Sequence, residues 1–132
     1  MPLDKVIDGM RAHLANVKIH HERGDQARWL REVTSFQDQL RTTWERAVEE
    51  AVGPVIRRLS RKVDTTGLIK LTVLTDGDCT AMRLAFGRCS ALLHSQPGEL
   101  NPRLPEPTAI EAEIDALEKW IADIRARQEK AA

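Results

Sequence analysis

The sequence predicts an all-α fold, a bundle of four to five helices within a single domain. Apolar residues recur at intervals of three and four residues, which is the period of an amphipathic helix. Residues typical of helix ends separate the apolar stretches. The chain has 132 residues, a length that suits one domain around one core. We therefore expect a single helical domain over residues 1–132, with an extended connector at residues 96–107.

The first helix is predicted from an apolar stripe near the amino terminus. Its members are spaced by four, three, four and three residues: Leu3, Ile7, Met10, Leu14 and Val17. Cations stabilise the carboxyl end of a helix, and glycine commonly follows that end. The cation-rich run 18–23 ahead of Gly24 therefore predicts where this helix ends. Asp25 is a suitable N-cap for the next helix.

The second helix is predicted from a heptad-like stripe that has one polar member, Gln37. Its apolar members are Leu30, Val33, Leu40, Trp44, Ala47 and Ala51. Proline lacks the amide N–H that a helix interior uses, so Gly53-Pro54 is expected to end or kink this helix. Because proline is tolerated in a first turn, a short helix is expected to restart at Pro54 and to include Leu59.

The third helix is predicted to follow an ambiguous stretch at residues 68–74. That stretch contains β-branched residues, but the chain offers no partner strand, so a short helix or a packed loop is expected. Thr75 and Asp78 resemble a capping box. The apolar stripe of the helix comprises Cys79, Met82, Phe86, Cys89 and Leu93. Its end is expected near Ser95, because the proline and glycine within 96–98 interrupt a helix.

The last helix carries the most regular stripe of the chain. Four of the six prolines lie between residues 97 and 107, which predicts the extended connector. Thr108 and Glu111 have the spacing of a capping box at the helix start. The stripe comprises Ile110, Ile114, Leu117, Ile121 and Ile124. It is expected to lie in the core of the bundle, and docking on a partner helix is the alternative.

Composition excludes several function classes. The chain has 20 basic and 20 acidic residues, so its net charge of zero argues against a globally basic nucleic-acid binder. No apolar run is long enough to span a membrane, so no membrane partner is expected. The first residues do not resemble a secretory signal, and two cysteines cannot form a disulfide framework. We therefore expect a cytoplasmic protein with reduced thiols.

Motifs for phosphate-loop binding, zinc proteases and serine hydrolases are absent. The histidines and cysteines do not have the spacing of zinc ligands: His13, His20, His21, His94, Cys79 and Cys89. Both cysteines lie on an apolar stripe, where a free cysteine behaves as a small hydrophobe. Neither a metal nor a cofactor is expected.

Arg88 and His94 are the candidate catalytic residues. An arginine can hold a phosphate, and a histidine can move a proton to or from a ribose oxygen near neutral pH. Together they could cleave RNA without a metal. The alternative is that both are ordinary cations at a helix surface and helix end. On an ideal helix they point about 120° apart, so a shared site needs an unwound helix end or a homodimer.

A basic segment is the candidate RNA-binding surface. Its cations are Arg57, Arg58, Arg61 and Lys62. Contacts to the phosphate backbone of RNA are the functional interpretation. A solvated helix face is the alternative.

Four runs of the chain resemble the carboxyl-terminal region of large bacterial AAA-type ATPases of mobile elements and defence systems. They lie at residues 40–50, 87–94, 101–107 and 114–118, and the resemblance covers about residues 36–125. Some ATPases of that group are coupled to RNA-cleaving domains directed at tRNA. Because this chain lacks the phosphate loop, the resemblance implies the helical end of such a protein without its motor.

More distantly, the Arg-x5-His motif on a helical scaffold is similar to HEPN domains, small helical bundles that are usually dimeric. Many of them are metal-independent ribonucleases in toxin–antitoxin and antiviral systems. The resemblance implies that Arg88 binds phosphate and that His94 is catalytic. Cys89 departs from the Asn, Asp or His that often follows the arginine, and non-catalytic members bind nucleotides or partners.

Two hypotheses follow from these residues and resemblances. The first is a HEPN-like protein of a bacterial defence or toxin system that cleaves RNA, with tRNA as the substrate suggested by the ATPase resemblance. The alternative is a non-enzymatic interaction module that binds an AAA-type ATPase or an antitoxin. The zero net charge and the acidic start of the last helix favour the alternative.

Overall fold

A computed structural model describes residues 1–59, 69–93 and 104–131, and the side chains of 54–59 and 91–93 are outside that description. Four long helices form the described fold: α1 (Leu3–Glu22), α2 (Gln26–Leu59), α3 (Asp76–Leu93) and α4 (Pro107–Ala131). Within these ranges the backbone forms no strand. The predicted all-α bundle is confirmed.

Helix α1 runs antiparallel to α4. Arg125 of α4 lies 3.1 Å from Asp4 at the start of α1, and Glu118 lies 2.9 Å from Arg11, about two turns further along α1. The residue numbers therefore rise along one helix as they fall along the other. These ion pairs fix the relative direction of the first and last helices.

Helix α2 runs parallel to α4 and contacts each of the other three helices. The Trp29 indole N–H donates to the carbonyl oxygen of Pro105 at 2.9 Å, and the Gln128 amide donates to the carbonyl oxygen of Ala51 at 3.1 Å. Helix α3 runs antiparallel to α4, since Trp120 donates to the carbonyl of Asp78. Successive helices thus alternate in direction, as in an up-and-down bundle.

The turn between α1 and α2 follows the predicted end and start signals. Gly24 has a φ of 72°, the left-handed conformation that glycine adopts without strain. The amide of Asp25 donates to the carbonyl of His20 at 2.9 Å, the bond that closes a Schellman turn. The Asp25 carboxylate then accepts from the amide of Arg28 at 3.2 Å and caps α2, as predicted.

Helix α2 passes through Gly53-Pro54 without ending, so the predicted separate helix from Pro54 to Leu59 is wrong. The helix is 34 residues long and includes both positions. A proline removes one hydrogen bond from a helix, but the bonds on either side of that position remain. The packing of α2 against its neighbours compensates for the missing bond.

The core contains the predicted stripes of α1 and α4 in full and those of α2 and α3 in part. Met82 and Phe86 of α3 are only partly buried, and the side chain of Leu93 lies outside the described residues. The stripes of α1 and α4 are buried throughout, at 8% exposure or less. In α2, however, Leu30 is 46% exposed and Trp29 is 2% exposed. In α3, Cys79 is exposed and Ala85 is fully buried. In α2, the hydrogen bond from the Trp29 indole to the carbonyl of Pro105 holds Trp29, rather than Leu30, in the core.

The segment before α3 is helical at residues 69–71 and then turns, which confirms the predicted short helix or loop where the chain is described. Thr75 and Asp78 form the predicted capping box. The amide of Thr75 donates to the Asp78 carboxylate at 2.8 Å, and the amide of Asp78 donates to the Thr75 hydroxyl at 3.1 Å. The sequence alone therefore located this helix start.

The start of α4 differs from the prediction. The helix begins at Pro107, and the amides of Ala109 and Ile110 both donate to the carbonyl of Glu106. Thr108 therefore lies inside the first turn, so the predicted Thr108–Glu111 capping box is wrong. Proline is favoured at the first helical position because its φ is already helical and its missing N–H is not needed there.

In the described ranges no helix combines the length and the hydropathy that crossing a membrane requires.

Asp78 joins the start of α3 to the end of α4. Arg127 donates to both carboxylate oxygens of Asp78, at 2.7 and 2.8 Å, and also to the carbonyl of Val73 at 2.8 Å. The Asp78 side chain is 15% exposed. The bonds from Arg127, with those from Thr75, lower the pKa of the Asp78 carboxyl.

We expect Asp78→Asn to lower the free energy of unfolding at pH 7 by about 1 to 3 kcal/mol, because it weakens charge-assisted hydrogen bonds. A carboxyl with a lowered folded-state pKa stabilises the fold above its unfolded pKa of about 3.9, and that stabilisation disappears as the pH falls through the folded-state pKa. The free energies of unfolding of the two proteins, measured by urea denaturation, should therefore differ at pH 7 and converge at low pH.

Asp76→Asn is the matched control, since Asp76 is an exposed aspartate of the same helical turn. Its effect should stay below about 1 kcal/mol. Equal losses for the two variants at pH 7 would contradict the role given to Asp78.

Candidate functional site

Arg88 lies on α3 and is engaged by a carboxylate of α4. Its Nε lies 2.5 Å from Oε1 of Glu113. The Arg88 side chain is 48% exposed, whereas that of Glu113 is 14% exposed. The pair therefore bridges two helices at the edge of the bundle. A charge-assisted hydrogen bond of this kind is stronger than one between neutral groups.

The partner predicted for Arg88 lies outside the described residues. His94 follows the last described turn of α3, which ends at Leu93. Convergence of the two side chains on one phosphate therefore stays a prediction. Likewise, Arg57 and Arg58 lie on α2 with undescribed side chains, and the predicted RNA-binding segment continues at 61–62, beyond the described part of that helix.

A cavity of about 300 Å³ lies beside Arg88, between α2, α3 and α4. Its walls are formed by the buried face of α2, Arg88 of α3, the first turns of α4 and Pro105, which lies two residues before α4. The described lining residues are Val33, Phe36, Gln37, Leu40, Arg88, Pro105, Ala109, Ile110 and Glu113. Most of these are apolar, as is typical of a small-molecule pocket.

Gln37 is the unusual residue of this cavity. It is 1% exposed, yet neither its amide nitrogen nor its amide oxygen has a hydrogen-bond partner among the described residues. Glu113 repeats the pattern, because its Oε2 is buried and unpartnered while its Oε1 binds Arg88. An unsatisfied buried polar group costs about 1 to 3 kcal/mol of stability. Two such residues on one cavity therefore point to binding.

The sequence signals this site in part. Gln37 interrupts an otherwise apolar stripe, and the sequence alone shows that interruption. Glu113 gave no such signal, because acidic residues are abundant in the first half of α4 and Glu113 differs from them only in what it contacts. The sequence suggests phosphate chemistry for Arg88, and the structure places its guanidinium beside the Glu113 carboxylate.

The other arginines with described interhelical contacts hold the bundle together. Arg11 of α1 lies 2.7 Å from Asp115 of α4. Arg125 of α4 contacts both Asp4 and Glu50, so it joins three helices. These contacts occupy cations that could otherwise serve a ligand.

Two of the three described histidines, His13 and His21, have identified side-chain neighbours. His13 Nε2 lies 2.7 Å from a carboxylate oxygen of Glu32, and His21 packs edge-on against Trp29 with ring centroids 5.5 Å apart. Over the described ranges, no three His, Cys, Asp or Glu side chains group as metal ligands would.

Comparisons with known proteins give no relatives for this chain: no family model, curated protein or solved structure matches it. The resemblances to AAA-type ATPases and HEPN domains therefore stay predictions.

Replacing Gln37 by methionine removes both unpartnered amide atoms and keeps the unbranched shape of the side chain. We expect Gln37→Met to raise the free energy of unfolding by about 1 to 3 kcal/mol, as measured by urea denaturation. Gln39→Met is the matched control on the same helix, because Gln39 is exposed, and it should change stability by less than about 0.5 kcal/mol. A less stable Gln37→Met protein would show that Gln37 is hydrogen-bonded after all.

The two cysteines should differ in reactivity. Burial raises the pKa of the Cys89 thiol, with a further contribution from the Glu113 carboxylate, whereas Cys79 is exposed. Because the thiolate is the reactive species, iodoacetamide at pH 8 should modify native protein at Cys79 alone. Intact mass spectrometry should find one adduct in wild type and none in Cys79→Ser. Equal labelling of both thiols in the folded protein would contradict the burial of Cys89.

Proposed function

We propose that this chain is a non-enzymatic helical interaction module of a bacterial defence or toxin system. The observation that carries this proposal is the ion pair between Arg88 and Glu113. A carboxylate at 2.5 Å neutralises the guanidinium and repels a phosphate that approaches it. Arg88 in this arrangement is suited to organising a binding surface and poorly suited to stabilising a pentavalent phosphate.

The partner classes proposed for this module come from the sequence resemblances. They are an AAA-type ATPase that supplies the missing motor, an antitoxin, or a second copy of the chain in a homodimer. The up-and-down bundle supports this proposal in a general way, because such bundles present long helix faces to a partner. Leu84, on the same face of α3 as Arg88, is 58% exposed and adds apolar area to that face.

A metal-independent ribonuclease is the second candidate. Its support is that the Arg88 side chain is 48% exposed near the carboxyl end of α3, where His94 follows in the sequence. In this alternative the phosphate displaces Glu113, and the cations of the segment 57–62 contact the RNA backbone.

The two candidates are separated by incubation of purified protein with total tRNA in EDTA. The interaction module predicts no cleavage by wild type. It also predicts that Glu113→Gln, which frees Arg88, raises tRNA affinity several-fold in a filter-binding assay, whereas Glu111→Gln leaves it unchanged. Glu111 is the matched control, since it is an exposed glutamate two residues away on α4.

The ribonuclease predicts a different pattern. Wild type would cleave tRNA in EDTA, and both Arg88→Ala and His94→Ala would abolish that cleavage while remaining folded by circular dichroism. This outcome would overturn the proposed interaction module.

A further inference from the structure

We infer that the cavity beside Arg88 is a binding site for an uncharged primary amide carried on a flat apolar body. The occupant is a small molecule or group of that chemistry. The inference goes beyond partner binding and stands whether or not the chain cleaves RNA, because it depends on Gln37 and the cavity walls. Three atoms that have no hydrogen-bond partner among the described residues define the ligand: the two amide atoms of Gln37 and Oε2 of Glu113.

The hydrogen-bonding capacity of these atoms matches a primary amide. Gln37 Oε1 and Glu113 Oε2 each need a donor, and Gln37 Nε2 needs an acceptor. A primary amide has two N–H donors and one carbonyl acceptor. Its carbonyl can accept from Gln37 while one N–H donates back, and the second N–H remains for the carboxylate. A carboxylate ligand lacks both donors, and an amidinium lacks the acceptor.

The charge of the site also favours a neutral ligand. Arg88 and Glu113 are 2.5 Å apart, so the pair has no net charge. An anion drawn to Arg88 would meet Glu113, and a cation drawn to Glu113 would meet Arg88. Burying a charged group without its own counterion is far less favourable than burying an amide that finds its hydrogen bonds.

The cavity walls select the apolar body. Val33, Phe36, Leu40 and Ile110 are each 2% exposed or less and line the cavity. A volume of about 300 Å³ is at the small end of ligand pockets and accommodates a single ring with a short head group. Water in such an apolar space is poorly ordered, and displacing it by an apolar ring favours binding.

Four probes of one shape test the inference. Benzamide has the predicted head group, acetophenone keeps only the acceptor, benzamidine is a cation and benzoate is an anion. Titrations followed by ¹⁵N–¹H correlation spectra should give a dissociation constant of about 1 mM for benzamide, as suits so small a ligand. The other three probes should bind at least tenfold more weakly.

Two variants locate the site. Gln37→Met should remove the preference, so that benzamide and acetophenone bind within about twofold of each other, whereas Gln39→Met should leave both constants unchanged. Ala109→Leu should abolish binding of all four probes by filling the cavity. Ala109 is exposed on a helix that leucine suits, so this variant keeps the inference testable if Gln37→Met does not fold.

The inference is supported if wild type binds benzamide at least tenfold more tightly than the other three probes. This preference must depend on Gln37, and Ala109→Leu must abolish the binding. Three results overturn it: no benzamide binding at its solubility limit, equal binding of benzamide and acetophenone by wild type, or unchanged preference in Gln37→Met. None of these results depends on tRNA cleavage, so failure of this inference is distinguishable from failure of the proposed function.

Discussion

The burial of one face of α2 is the constraint on which the rest of the structure depends, because this helix contacts all three others. Phe36 and Leu40 are each 1% exposed on that face, on either side of Gln37 in the sequence. Burial of the two side chains together contributes about 3 to 6 kcal/mol, which exceeds the cost of about 1 to 3 kcal/mol for an unsatisfied buried polar group. Rotating α2 so that water reaches Gln37 would expose Phe36 and Leu40. The packing of these two side chains therefore keeps the Gln37 amide buried.

Charged residues act mainly between helices in this fold. Arg127 with Asp78 ties α3 to α4, and Arg125 ties α4 to the ends of α1 and α2. The pair of Arg88 and Glu113 differs from these because it borders a cavity and leaves one buried carboxylate oxygen unpartnered. A residue type that suggests phosphate chemistry in the sequence is therefore paired with a carboxylate in the structure.

The sequence predicts the helices well because apolar periodicity and end signals are local, and burial of large stripes dominates the folding energy. The prediction is wrong at Pro107, because proline is favoured as the first residue of a helix and competes with the capping box that begins one residue later. It is also wrong at Pro54, because the packing of α2 stabilises the helix beyond this proline. The pairing of Arg88 with Glu113 depends on how two distant helices cross. No local pattern encodes that geometry.

A crystal structure of the protein grown with benzamide tests the central claim most directly, namely that packing holds the Gln37 amide unpartnered at a ligand cavity. The account predicts benzamide in that cavity, with its carbonyl and one N–H each about 3 Å from the Gln37 amide atoms. A structure in which another protein group hydrogen-bonds Gln37, and the space between α2, α3 and α4 is closed, would contradict it.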